Sequence, residues 1–123
     1  MSDQKTLKRI MLEMGTGNAL HSMDYTRAAI RAVEDATRHS SLTMFRSLGI
    51  DPDTMQIELT LAAREPEKIN LDAVSKALPY GTVIPKAVKG GLNVMDETSG
   101  HPVVIVNAGL VVRVPLCSAC AAV

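Results

Sequence analysis

The sequence predicts an α/β fold of the α+β type, a two-layer sandwich in which two helices cover one face of a four-stranded mixed sheet. Three observations predict it. Apolar segments of strand length alternate with two amphipathic segments of helical spacing, in the order strand, helix, strand, helix, strand, strand. The 123 residues suffice for a single domain, 1–123, with one core. Glycine and proline separate the segments, as expected for a compact domain with short connections.

The first strand and the first helix come from residues 7–38. Residues 7–15, LKRIMLEMG, are short and rich in Leu, Ile and Met, which predicts a buried strand that Gly15 and Gly17 terminate. Asp24 is suited to cap the following helix, because its carboxylate can accept from free N–H groups of the first turn. The helix fades near residues 38–41, and its narrow apolar face consists of Ala29, Ile30, Val33 and Ala36.

The remaining elements follow the same patterns. Residues 55–64 alternate apolar and polar side chains, which predicts a strand with one buried face. Asn70 can cap a second short helix over 71–78. Residues 82–94 predict an edge strand interrupted by Pro85 and the Gly90–Gly91 step. Residues 103–114 are apolar on both alternations, which predicts the central strand, and flexible tails are expected at residues 1–6 and 116–123.

Composition limits the partners. The chain has no Trp, one Phe and two Tyr, so we expect a core of Val, Ile, Leu, Met and Ala. The second face of the sheet has no obvious cover within the chain, which predicts self-association with neighbouring subunits. Net charge is zero with scattered Lys and Arg, which argues against nucleic-acid binding. No apolar run reaches a membrane span, and the polar N-terminus lacks a signal-peptide core, so we expect a cytoplasmic protein with reduced cysteines.

Three residues are candidates for acid–base chemistry. His21 precedes a helix N-terminus, where it could act as a base or hydrogen-bond donor, or be a surface loop histidine. Asp24 is either the helix cap alone or a catalytic carboxylate. Glu13 lies among apolar residues, and it either points to solvent or is buried beside His21 with a raised pKa. Gly15 and Gly17 match half of a dinucleotide fingerprint without its third glycine, so a tight turn that contacts substrate is expected and no cofactor is predicted.

Three further residues are candidates for substrate binding. Arg64 ends the alternating strand and Lys86 lies in the interrupted one, where α/β sheets present ligand contacts, although each could be a solvated surface charge. Asn107 interrupts the apolar central strand, which predicts an inward-facing amide that needs a structural or ligand partner. Cys117 and Cys120 form a C-x-x-C that is either a plain tail or a redox or zinc site; with no further ligands nearby in sequence, no metal is predicted.

Several motifs resemble those of a family of small bacterial and plant proteins named after a Listeria locus tag. They are E-x-G-x-G from Glu13, H-x-x-D-x-T-x-A-x-x-R-A-V from His21, the P-Y-G at 79–81, the Gly90–Gly91 step and V-N-A at 106–108. The resemblance covers nearly the whole chain. It implies membership of that family and no particular activity.

The chain also resembles one repeat of the ring-opening amidohydrolases, the cyanuric acid hydrolase and barbiturase family. In that family three α/β units surround a pseudo-threefold axis, and each unit offers a lysine and a serine. Here Ala63, with Arg64 beside it, stands at the lysine position and Asn107 in the serine's place, so the resemblance implies architecture and a trimer rather than serine chemistry.

These observations predict an oligomer that binds a small polar, anionic or cyclic metabolite at subunit interfaces. It could act as a cofactor-independent hydrolase or lyase on a cyclic amide-like compound, or as an isomerase. The alternative is a non-catalytic ligand-binding or structural oligomer.

Overall fold

The structure is a computed structural model that describes residues 5–20, 22–38 and 44–117. It is an α+β fold with one mixed sheet of five strands, and single turns of 3₁₀ helix occupy Pro52–Thr54 and Pro66–Lys68. The strands and helices are β1 (Lys5–Ala19), α1 (Tyr25–Arg38), α2 (Met44–Ser47), β2 (Gln56–Ala63), α3 (Leu71–Ser75), β3 (Thr82–Lys89), β4 (Leu92–Asp96) and β5 (His101–Cys117).

Strand β5 is central, as predicted. It pairs antiparallel with β1 on one side, and with β2 and β4 on the other. Strand β3 pairs parallel with β2 and forms the edge, as the Pro85 interruption indicates. The connection between β2 and β3 contains α3, as parallel neighbours require.

The prediction of four strands is wrong. The Gly90–Gly91 step does not interrupt one strand; it separates β3 from β4, which pair with different neighbours. Gly91 has φ 63°, and a Cβ there would collide with the carbonyl oxygens of Ala62 and Ile105. The chain therefore turns past the end of β2 at a position that only glycine fits.

The helices pack against one face of the sheet, the helix-covered face. In β2 and β5, every second side chain points towards the helices and is buried. Helix α1 lies on β1 and β5, and Val74 of α3 is fully buried in the same core. The largest wholly buried aliphatic side chains of this core are Leu59, Leu61, Val33, Val74, Val104, Val106 and Val114.

The prediction that Gly15 and Gly17 terminate β1 is wrong, because the strand continues to Ala19. A Cβ on Gly17 would overlap the Ala28 carbonyl oxygen and the Ala32 nitrogen of α1, and a Cβ on Gly15 would overlap the backbone of Ala32 and Ala36. The two glycines therefore allow α1 to pack directly on the strand backbone.

The turn before α1 instead uses Met23, which has φ 50°. Asp24 caps the helix as predicted, because the Arg27 N–H donates to its Oδ1 at 3.0 Å. Asn70 likewise caps α3, since its Oδ1 accepts from the Ala73 N–H at 3.2 Å. Helix α3 ends at Ser75, three residues before the predicted end.

Three further predictions need correction. Tyr25 and Phe45, 2% and 1% exposed, belong to the core, which is therefore not purely aliphatic. Strand β1 is an edge strand rather than a buried one, and Leu12 and Met14 are exposed on it. Residues 5, 6, 116 and 117, assigned to tails, pair in β1 and β5.

The opposite side of the sheet, the open face, has no covering element in the part of the chain that the structure describes. It consists of the strand side chains that point away from α1 and α3. Large apolar side chains are exposed on it in three strands: Leu12 and Met14 of β1, Ile84 and Val88 of β3, and Leu92 and Val94 of β4. Val103, Ile105 and Val111 of β5 are half-buried between them.

Candidate functional site

A pocket of about 470 Å³ lies on the open face, between β1, β5 and β2. We call it the Gly109 pocket, after the glycine of the central strand that lines it. Polar and small residues surround it, in contrast to the apolar side chains elsewhere on this face. Its lining residues are Met14, Gly15, Thr16, Asp35, Thr60, Ala62, Asn107, Ala108 and Gly109.

Asn107 and Thr16 form the polar wall of the pocket. They face each other across β1 and β5, and the Asn107 Nδ2 donates to the Thr16 Oγ1 at 3.1 Å. The sequence predicts an inward-facing amide, but Asn107 is exposed and points away from the core. The prediction fails because β5 has apolar side chains on both of its faces. The sequence pattern therefore cannot tell which face the helices cover.

Side chains of α1 cover the free edge of β1 beside the pocket. The Thr16 N–H donates to the Asp35 Oδ2 at 2.9 Å, and the Arg31 Nη1 donates to the Asn18 carbonyl oxygen at 2.7 Å. Unpaired strand edges otherwise invite pairing with another chain. The two contacts therefore satisfy this stretch of edge and fix one rim of the pocket.

A second, smaller hollow on the same face is charged. Its volume is about 250 Å³, and Glu58, Thr60, Ile84 and Lys86 contribute to its lining. The Glu58 carboxylate forms an ion pair with Arg113. The hydrogen bond from Arg113, with the nearby positive charges of Arg113 and Lys86, lowers the pKa of Glu58 below its ordinary 4.5, and the same contact raises the pKa of Arg113.

Sequence reasoning missed a polar cluster on the helix-covered side of the sheet. The hydroxyl of buried Tyr25 donates to the Glu65 Oε2 at 3.1 Å and accepts from the Asn93 Nδ2 at 2.8 Å. Lys68 pairs with Glu65 at 3.1 Å, and the hydrogen bonds from Lys68 and then Tyr25 lower the pKa of Glu65. These residues are far apart in sequence, so no local pattern could have predicted the cluster.

The structure does not bring Glu13 and Asp24 together. Asp24 lies at the N-terminal end of α1, whereas Glu13 is half-buried on β1 beyond Gly15, towards the helix's C-terminal end. The 14 residues of α1 span about 21 Å at 1.5 Å per residue. His21 lies outside the described residues; its neighbours Leu20 and Ser22 contribute to a cavity of about 270 Å³ that Ala19, Arg27 and Arg31 also line.

The predicted binding residues lie at three separate places. Asn107 and Gly15 line the Gly109 pocket. Lys86 is exposed in the charged hollow beside it. Arg64 is exposed after the end of β2. Gly17 contacts α1 rather than a cavity.

Two further observations concern metals and membranes. Within residues 5–20, 22–38 and 44–117, no three His, Cys, Asp or Glu side chains come together as a metal-binding group. Cys117 ends β5, and Cys120 lies outside the described residues. In the same part of the chain, no helix has the length and apolar character needed to cross a membrane.

Fold and site together define a class: a small α+β protein whose sheet is covered by helices on one face and carries a polar pocket on the other. Within this class, the chain belongs to the Lin0512 family, described as conserved hypothetical proteins, whose family model matches residues 9–112. This match confirms the resemblance carried by the glycine, histidine and V-N-A motifs. The resemblance to ring-opening amidohydrolases stays a prediction.

Comparison with a solved structure supports the fold. The chain is similar to the crystal structure of an FtsZ-like protein of unknown function from Nostoc punctiforme PCC 73102, with 29% sequence identity and a TM-score of 0.79. The similarity covers 91% of this chain and 99% of that chain. No curated protein matches the chain.

Proposed function

We propose that the protein is a ligand-binding homo-oligomer in which open faces lie against other copies and a small polar or cyclic metabolite binds at the seam. The observation that carries the proposal is the Gly109 pocket itself, a polar recess within an exposed apolar sheet face. Exposed apolar patches of this extent are typical of interaction surfaces, and concave sites with a few polar groups are typical of ligand sites.

The size of the open face fits an interface between copies. Four strands about 4.8 Å apart, each contributing about eight residues of about 3.3 Å, project roughly 500 Å². Because side chains protrude from the sheet, its accessible surface area is larger than this projected area. It therefore approaches the area of about 800 Å² that each partner buries in a standard interface. The formal net charge of zero means that copies do not repel one another at neutral pH.

We assign the assembly three copies. The open face has a charged end at Glu58 and Arg113 and an apolar end at Leu92 and Val94. The resemblance to the three-unit ring-opening amidohydrolases supports this number, and the unlike ends mean that each contact uses two different patches, as in a closed ring of heterologous interfaces. The proposal places this trimer in the cytoplasm, where cysteines stay reduced.

Binding, rather than catalysis, is the function that the pocket supports. Its polar groups are the Asn107 amide, the hydroxyls of Thr16 and Thr60 and the carboxylate of Asp35, which accepts from the Thr16 N–H, and neither Glu13 nor Asp24 lines it. A hydrolase or lyase would need proton transfer at the seam, for which His21 with Asp24 is the sequence candidate. His21→Ala separates the two: unchanged ligand binding and assembly support a binding protein, whereas loss of turnover of that ligand with retained binding would contradict it.

The experiment for assembly changes one exposed leucine on the open face. Leu92→Asp places a carboxylate in the proposed interface, so light scattering should report a shift from three times 13.2 kDa towards 13.2 kDa. Leu48→Asp is the matched control, because Leu48 is 63% exposed against 55% for Leu92 and lies outside the sheet. A wild-type chain of 13.2 kDa, or equal masses for both variants, would contradict the proposal.

A further inference from the structure

Gly109 is a glycine that no contact among the described residues explains. Four of the other glycines have positive φ, namely Gly49, Gly81, Gly91 and Gly100. Gly15, Gly17 and Gly90 are so close to other atoms that a Cβ would lie within 3.0 Å of them. Gly109 has neither reason: its φ lies outside the positive range, and a Cβ built on it meets nothing within 4 Å.

A glycine inside a strand has a cost, since it is about 0.5–1 kcal/mol less favourable than alanine. It often marks a place where a ligand or another backbone approaches closely. No described part of this chain approaches Gly109, although it lies in the middle of the central strand. The space above Gly109 is therefore open to a ligand or to another copy of the chain.

We propose that the Gly109 pocket binds an uncharged planar molecule that carries a carboxamide, lying flat on the β5 backbone at Gly109. The inference rests on the ligand site in the proposed function and names the chemistry of its occupant. Ala62 extends the small-residue floor beside Gly109, and Ala108 contributes backbone to the lining, since its side chain is buried on the other face. A ring can therefore contact the strand backbone, and Met14, which also lines the pocket, has a thioether of the kind that contacts aromatic edges favourably.

Asn107 supplies the recognition of the carboxamide. Its amide has two N–H donors and an acceptor oxygen. One donor is used by the Thr16 Oγ1, and within the described residues the other donor and the Oδ1 make no hydrogen bond. A ligand carboxamide presents the complementary N–H and C=O side by side, so it can form two parallel hydrogen bonds with Asn107. The Thr60 side chain lines the same pocket and offers one further hydroxyl.

The charge and the volume of the Gly109 pocket further restrict the class of ligand. None of the described residues that line the pocket is basic, so nothing there offsets the desolvation of a carboxylate ligand. The volume of about 470 Å³ lies within the range of about 300–1,000 Å³ typical of small-molecule sites.

The test uses nicotinamide as the probe and Gly109→Val as the blocking variant. Valine fills the space above the strand without a clash and is favoured in strands, so the thermal unfolding midpoint of the variant should equal or exceed that of wild type. Nicotinamide, titrated and followed by NMR chemical shifts, should bind at least tenfold more weakly to Gly109→Val. Val111→Ile, on the same strand and face but outside the pocket lining, is the control and should bind as wild type does.

Two analogues test the chemistry. Nicotinate keeps the ring but adds a negative charge, and N,N-diethylnicotinamide removes the N–H donors. Each should bind wild type at least tenfold more weakly than nicotinamide does. Equal binding of the three compounds would overturn the assignment to Asn107, and absence of nicotinamide binding to wild type would overturn the ligand class.

Light scattering on the same samples separates this inference from the proposed function. If Gly109→Val lowers the mass of the assembly, a second copy fills the pocket and the small-molecule inference is wrong, while self-association stands. If wild type binds nicotinamide through Gly109 as a single 13.2 kDa chain, the inference stands and the proposed oligomer is wrong.

Discussion

The two faces of one sheet differ in what lies against them, although the strands that build them are similar in composition. On β5, Val104 and Val106 are fully buried under α1, whereas Val103 and Ile105 on the other alternation are only half-buried. The helix-covered face is complete within one chain. The open face has equally apolar residues with nothing described above them, and this is the surface that we propose lies against another copy.

Glycine shows the same contrast. Gly17 on β1 is required by the backbone of α1, with which a Cβ would collide. Among the described residues, nothing lies within 4 Å of a Cβ built on Gly109 of β5. Gly17 therefore reports a contact within the fold, whereas Gly109 lies where we propose that a ligand binds.

The largest effect should come from Gly17→Ala. Its Cβ meets backbone atoms that cannot rotate away, so we expect a loss of about 3 kcal/mol or more in the free energy of unfolding. Gly109→Ala should instead raise stability by about 0.5 kcal/mol. Urea unfolding of both variants, in the Leu92→Asp background that removes assembly, compares the two faces directly. If Gly109→Ala lost as much free energy of unfolding as Gly17→Ala, the proposed difference between the two faces would be contradicted.

A smaller difference in the free energy of unfolding is expected between polar groups on the helix-covered face and polar groups on the open face. Tyr25→Phe removes the hydroxyl between Glu65 and Asn93, and the Asn93 Oδ1 is already buried without a partner. We expect a loss of about 1–2 kcal/mol in urea unfolding, because a buried donor is left unsatisfied. The open-face counterpart Thr16→Val removes the hydrogen bond from exposed Asn107 and should change stability by less than about 0.5 kcal/mol. Equal losses would show that Asn107 is not open to solvent.

The smallest effect concerns the ion pair on the open face. Since the folded chain holds the pKa of Glu58 below 4.5, the pair stabilises the fold above that pH, and this contribution is lost as the pH falls through the lowered pKa. In Glu58→Gln, the free energy of unfolding should therefore decrease less as the pH is lowered than it does in the wild-type protein. Arg113→Gln should raise the pKa of Glu58 in an NMR titration of its carboxyl carbon, and an unchanged pKa would remove Arg113 as the cause.

Local patterns predict much of this fold. The caps Asp24 and Asn70 involve backbone groups within three residues, and β5 is identified as central because both of its alternations are apolar. Strand β4 could not be predicted, because the Gly90–Gly91 step does not indicate which strand the following residues pair with. They could continue to pair with β2 or, as in the structure, pair with β5. The partner of a strand is a long-range property.

The site was less predictable for the same reason. Gly15 and Gly17 resemble a turn locally, and only the distant backbone of α1 explains them. Asn107 stands out in the sequence as a polar residue in an apolar strand, but the sequence cannot say which face of the sheet its side chain joins. The available signal for the pocket was Gly109, a glycine within the most β-rich segment of the chain.

The central claim is that the open face is covered in solution, and the most direct measurement is the relaxation that a soluble gadolinium chelate causes at leucine methyl groups. In a single chain Leu92 and Leu48 are 55% and 63% exposed, so without assembly their methyl groups should relax at similar rates. The account predicts strong protection of Leu92 and none of Leu48 in the wild-type protein. Equal relaxation at the two leucines would contradict it.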